Sequence, residues 1–217
     1  MLQYTGSHKG CLYVQINILE GVLTVRIIDI SRPLQTAPKY PTAPDTTFGQ
    51  VDRIEAGCDS NFSLIFTNTH AGTHVDAGKH FVHGELSIGQ MPLDVYMGKC
   101  RVITVPEHAL VGKSVFEGRL EGAERLVMHG GGFSYLTPEA AQYIVDSGIR
   151  CLVTDGWSPA PLDNEKQIHQ MLLKAHVGIV ENVTLDHVED GDYTLLALPV
   201  NFGDSDGAPC RAVLIED

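Results

Sequence analysis

The sequence predicts a strand-rich α/β fold built as a single domain. Three observations lead there. Short runs of β-branched or alternating apolar residues recur throughout the 217 residues, whereas only two stretches carry helical signals. No internal repeat, low-complexity tract or linker divides the chain. So few helices between so many strands argue against a doubly wound βαβ sheet.

Composition narrows the class further. Apolar content of 43% and charged content of 19% describe an ordinary globular protein. A formal charge of -12 offers no basic patch for phosphates, which argues against nucleic acid and against anionic membranes. An anionic small molecule remains compatible, because a bound dication would dominate its local field. Cys11, Cys58, Cys100, Cys151 and Cys210 are dispersed and form no C-x-x-C. They read as small buried hydrophobes in a reducing cytosol. The N-terminus lacks the basic region, apolar run and small-residue cleavage site of a signal peptide, so a cytoplasmic location is expected.

Along the chain, residues 1–23 read as an N-terminal extension of uncertain structure, and residues 24–217 as the main domain. Within the extension Val14, Ile16 and Ile18 alternate with Gln15 and Asn17 at the period of a half-buried strand. Val25–Ile30 is β-branched and reads as a buried strand. Pro38, Pro41 and Pro44 then stiffen a loop. Phe62–Asn68 reads as a half-buried strand that delivers the next segment from a rigid element. Strands are also expected over 101–105, 124–129, 149–155, 179–183, 193–200 and 210–215. Gly130–Gly132 lacks any phosphate-loop context and reads as a flexible loop. Thr137 as N-cap, Pro138 at the first position and Gly148 after the last turn mark one helix. Ile168–Lys174 reads as a second, short one.

The chemistry concentrates in His70-Ala71-Gly72-Thr73-His74-Val75-Asp76-Ala77-Gly78-Lys79-His80. Imidazole nitrogen and carboxylate oxygen are ligands for Zn²⁺ and similar ions. His70 and His74 lie four apart, so one helical turn or a tight loop can aim both at one point. Asp76 brings negative charge beside them. Gly72 and Gly78 allow the backbone to come close to an ion. His80 is left as a proton carrier, because an imidazole titrates near neutrality.

This stretch resembles H-x-G-T-H-x-D-x-P-x-H, the motif of the cyclase family of metal-dependent hydrolases, which includes bacterial kynurenine formamidases and isatin hydrolases. The match is at His70, Gly72, Thr73, His74, Asp76 and His80, with Gly78 where the family carries proline. Gly207-Ala208-Pro209-Cys210-Arg211-Ala212 resembles the family's closing G-x-P-x-R-A, and the likeness runs from about Thr24 to Ile215. The resemblance implies a swivelling β/β/α fold. It also implies that His169 and Glu181, twelve residues apart, are further metal ligands. Tyr40 and Ser158 would face the substrate, and the chain would form a homodimer or homotetramer. Relatives often carry a longer, aromatic-bearing loop near Gly130.

The activity expected on these grounds is hydrolysis of a small amide, as in an arylformamidase. One or two Zn or Mn ions would activate a water, and His80 would act as general acid and base. No G-x-S-x-G supports a serine mechanism. The alternatives are an isatin-hydrolase-like opening of a cyclic amide, a cyclase or dehydratase, and a metal-binding protein without turnover.

Overall fold

The computed structural model describes the backbone of residues 3–5, 11–18 and 21–216, and side chains from residue 25 onward. Its strands are β1 (Gln3–Thr5), β2 (Cys11–Ile18), β3 (Gly21–Asp29), β4 (Thr47–Asp52), β5 (Phe62–Phe66), β6 (His74–Asp76), β7 (Met97–Thr104), β8 (Leu110–Val111), β9 (Arg125–His129), β10 (Tyr135–Leu136), β11 (Cys151–Thr154), β12 (Gly178–Glu181), β13 (Gly191–Leu196), β14 (Gly207–Pro209) and β15 (Val213–Glu216). Two α-helices accompany them, α1 (Pro138–Asp146) and α2 (Glu165–Lys174). The extension expected over residues 1–23 falls partly outside the described residues. Its described parts are β1, β2 and the start of β3.

Eleven strands form one sheet in the order β1-β2-β3-β15-β13-β7-β9-β11-β12-β6-β14. Its centre, β7-β9-β11-β12, is parallel. The wings are antiparallel. The helices serve the parallel centre: α1 connects β9 to β11 and α2 connects β11 to β12.

Alternation along the central strands separates two cores. Val102, Val127, Val153 and Val180 point to one side. There they meet Ile28 and Leu214 from one wing and Val75 and Ala208 from the other, so the sheet curls around this core. Ile103, Leu126, Leu152 and Ile179 point to the other side, onto Ala140 and Ile144 of α1 and Ile168 and Leu172 of α2. Each large aliphatic buried this way contributes about 1.5–3 kcal/mol. The fold is therefore strand-rich, with both helices on one face, as the sparse helical patterning predicts.

Helix α1 starts as its sequence dictates. Thr137 Oγ1 accepts from the Ala140 amide at 3.2 Å, and Gly148 takes φ +74° beyond the last turn. Helix α2 begins at Glu165, three residues before the first apolar position that the sequence reading used. Its first turn, Glu165-Lys166-Gln167, faces away from the core and so carries no hydrophobic signal.

Two expectations need correction. Phe62–Phe66 is neither half-buried nor part of the main sheet. Among the described residues it pairs only with β4, as a separate two-stranded hairpin whose Phe48, Phe62, Leu64, Ile65 and Phe66 are all exposed. Apolar residues lie on both of its faces, so alternation there does not mark one buried side. The loop at Gly130–Gly132 is also tied down: the Gly130 and Gly131 amides donate to the buried Asp155 carboxylate at 3.0–3.2 Å. The glycines wrap a carboxylate of the chain itself.

Candidate metal centre

Strand β6 carries His74 and Asp76 two residues apart, so both point to the helix face, while Val75 between them points into the first core. Strand β12 pairs antiparallel with β6 and places Glu181 opposite His74 and Ile179 opposite Asp76. Glu181 therefore shares that face. Helix α2 crosses above and turns His169 inward with Ile168 and Leu172. His70 enters from the loop before β6. This loop bends at Gly72, which has φ +62° and whose Cβ would meet Leu34 at 2.9 Å. Thr73 anchors the bend: its hydroxyl donates to the Asn182 carbonyl and accepts from the Arg32 amide, both at 2.8 Å. The His70–His74 spacing is thus spanned by a tight loop and a strand, not by a helical turn.

Five predicted ligands converge. His70 Nδ1 lies 2.9 Å from Asp76 Oδ1, and His74 Nε2 lies 3.5 Å from the same oxygen. Asp76 Oδ2 lies 3.6 Å from His169 Nε2. Glu181 reaches both sides, with Oε2 3.1 Å from His74 Nε2 and Oε1 3.3 Å from His169 Nε2. His74, Asp76, His169 and Glu181 are all at most 4% exposed. Yet among the described residues His74 Nε2 and Asp76 Oδ2 are buried without a hydrogen-bond partner. Such orphaned atoms are costly unless something satisfies them. A divalent cation fits: imidazole and carboxylate donors surround one small volume, with negative charge to offset its burial.

The opposite nitrogen of each imidazole is held as metal-ligating histidines require. His74 Nδ1 donates to the Gly72 carbonyl at 2.8 Å, and His169 Nδ1 to the Glu165 carbonyl at 2.8 Å. His70 Nε2 faces Asp206 Oδ2 at 3.1 Å. Asp206 also accepts from Thr69 and lies 3.3 Å from His80 Nδ1. The His80 ring stacks on His70 with centroids 3.9 Å apart. Gly207 makes the geometry possible, because a Cβ there would come within 2.6 Å of the His70 ring. At Gly78 a Cβ would lie 2.9 Å from Glu85 Cβ, so this chain fills the proline's space with a neighbouring side chain.

Charge follows from these neighbours. Burial alone would lower the His70 pKa, but Asp76 and Asp206 override it and push it up to about 10. Burial is likewise overridden at His74 by Asp76 and Glu181, which raise it to about 9. His169 is raised against its burial by Glu181 and Asp76. Asp76 stays ionised in spite of burial because His70 and His74 hold its pKa well below the carboxylate range. His80 shifts the other way: burial lowers its pKa, aided by His70 and His169 and opposed by Asp76 and Asp206.

The centre opens into a cavity of about 380 Å³ walled by Tyr40, Phe81, Trp157 and Pro44, with His80 at its edge. This size suits a small organic molecule. Tyr40 lines the wall of this cavity, its ring 5.1 Å from Trp157. Ser158 does not line this cavity; it is buried and accepts from the Ala160 amide at 3.1 Å, closing a turn. Sequence reasoning missed Asp206, Glu165, Trp157 and Asn182. Asn182 carried one weak signal, its place directly after Glu181. It adopts φ +62°, and its side chain ties the proline loop through the Pro38 carbonyl.

Comparison with known proteins follows the same lines. The Cyclase family model matches residues 28–161. Kynurenine formamidase of Bacillus anthracis is 35% identical over 204 residues, covering 88% of this chain and 98% of that protein. Kynurenine formamidase of Bacillus cereus strain ATCC 14579 is 37% identical over 203 residues, covering 86% and 96%. Among solved structures, one described as a potential metal-dependent hydrolase with cyclase activity aligns with TM-score 0.76 at 22% identity, covering 89% of this chain and 98% of that one. Isatin hydrolase A of Labrenzia aggregata aligns with TM-score 0.76 at 18% identity, covering 88% and 93%.

Proposed function

The chain belongs to the Cyclase family, and from that premise we propose that it is a metal-dependent hydrolase of a carbon–nitrogen bond in a small amide, of the arylformamidase (kynurenine formamidase) type. The observation that carries this reading is that His74 Nε2 and Asp76 Oδ2 are buried and unpartnered within the cluster of imidazoles and carboxylates that lines the cavity together with His80.

His70, His74 and Asp76 would hold one Zn or Mn ion. Asp76, His169 and Glu181 would suit a second. Bound there, the ion supplies an acidified water and an electrophile for the amide carbonyl oxygen. The protein's own groups do the rest. Asp206 against His80 Nδ1 leaves Nε2 as the proton-carrying atom. His80 takes a proton from the attacking water and returns it to the leaving nitrogen, so the base is regenerated. Tyr40, Trp157 and Phe81 hold an aromatic group and exclude water.

The finer reading includes a homodimer or homotetramer. The exposed apolar hairpin β4–β5 supports it, because two strands with both faces in water are marginal alone. No helix among the described residues is long and apolar enough to cross a membrane. We place the protein in the cytoplasm, where free thiols such as the buried Cys100 and Cys151 stay reduced.

The test is metal analysis of the purified protein together with turnover of N-formylkynurenine and isatin. Bound Zn or Mn with formamide hydrolysis is expected. Preference for isatin would move the substrate to cyclic amides, and undiminished hydrolysis by metal-free protein would remove the reading altogether.

A further inference from the structure

Every arginine of the chain but one pairs with a carboxylate. The exception is Arg32, which has no carboxylate partner among the described residues, in a chain whose formal charge is -12. Its Nε donates to the Val183 carbonyl at 2.9 Å, and its amide donates to Thr73 Oγ1 at 2.8 Å. These contacts fix the residue and leave both Nη groups without a partner among the described residues. Arg32 is half-buried, and a guanidinium withdrawn from water is costly without a matching anion.

Arg32 lines a cavity of about 310 Å³ that shares no lining residue with the one at the metal centre. Pro33, Leu34, Val200 and Pro209 give it apolar walls. Asp29 and Arg211 also line it but neutralise each other: Arg211 Nε donates to Asp29 Oδ1 at 3.0 Å, and Arg211 Nη2 donates to Oδ2. The wall therefore carries one net positive charge, that of Arg32.

We infer that this cavity is a second binding site, for a small organic monocarboxylate. With Nε engaged, the two Nη groups offer the parallel pair of donors that a carboxylate accepts. One net positive charge matches one negative charge, and Asp29 would repel a second. The apolar walls take the body of an organic acid, a contact that an inorganic ion cannot make. The site does not rest on the amide-hydrolase reading.

Fluorine NMR of the metal-loaded protein at pH 7 tests this, with trifluorobutanoate and trifluorobutanol as probes that share a tail and differ in charge. Wild type should bind the acid about ten-fold tighter than the alcohol, as one charge-assisted hydrogen bond provides. Arg32→Gln should remove that preference. Val200→Glu keeps Arg32 and its contacts in place and sets a competing carboxylate on the wall. Val200 is 48% exposed, so the fold tolerates this change, which should weaken the acid and spare the alcohol. Metal content is measured on both variants, because Arg32 bonds Thr73 and Val183, close in sequence to His74 and Glu181. Equal affinity for acid and alcohol in wild type would overturn the site. A preference that persists in either variant, or that disappears only where metal is also lost, would assign the binding to the metal centre and overturn it too. Inorganic phosphate that displaces the acid at lower concentration than butanoate does would overturn the monocarboxylate.

Discussion

Asp206 Oδ2 lies 3.3 Å from Nδ1 of His80. The same oxygen faces His70 Nε2 at 3.1 Å, so one carboxylate contacts both a ligand candidate and the proposed proton carrier. The two roles separate by mutation. His80→Ala should keep its metal and lose about 10²–10⁴-fold in kcat, the range for a general acid–base group. Asp206→Asn should weaken metal binding about 10–100-fold, the effect of losing a carboxylate behind a ligating histidine. Chelator competition and steady-state kinetics on both variants check this. Loss of metal from His80→Ala would make His80 a ligand and end its assignment as base.

Gly207 lies against His70, and a methyl group there would come within 2.6 Å of the ring. Gly207→Ala should displace His70, lowering metal content and activity together. The fold should survive, because β14 is a three-residue strand at the end of the sheet and its core side chain is Ala208, which the substitution leaves in place. Metal stoichiometry alongside far-UV circular dichroism measures both. A fully loaded, active Gly207→Ala protein would contradict the geometry.

Metal uptake should release protons. His70 and His74 have pKa values pushed up to about 10 and 9, so in the metal-free protein both are protonated at pH 7.5. Ligation requires them neutral, so uptake should release about two protons, seen as a buffer-dependent enthalpy in calorimetry. The stability sign is set by raised folded-state values. Their contribution is fully present below the unfolded value of 6.5 and is lost as pH rises through 9 to 10. Metal-free Tm should fall over that window, while the Tm gain on adding metal grows from pH 6.5 upward. A gain that shrinks with rising pH would rule out histidine ligation.

The hairpin gives an oligomer prediction. Phe66 and Leu64 are 67% and 58% exposed. Wild type should scatter light as a dimer or tetramer of the 23.6 kDa chain, and Phe66→Asp should shift it toward monomer. A wild-type monomer at micromolar concentration would defeat this.

Much of the site was legible because it is local. A period of two puts His74 and Asp76 on one face, and Gly72 signals the bend that brings in His70. The Thr137–Pro138 start of α1 is equally local, since a cap is satisfied within three residues. The hairpin misled because alternation reports a buried side only when one side is apolar, and here both are. Glu165 was silent because the polar first turn of a helix has no hydrophobic period.

By itself the sequence determined a strand-rich single domain, the family, and the ligand candidates of the first motif, since these depend on residue type and short spacing. Only the tertiary structure decided that Glu181 faces His74, that His169 reaches Asp76 from α2, and that Asp206 backs both His70 and His80. Those pairs are 107, 93, 136 and 126 residues apart by residue number. Strand register and sheet order bring them together, and both arise from burial of the two cores around the sheet, which no local pattern encodes.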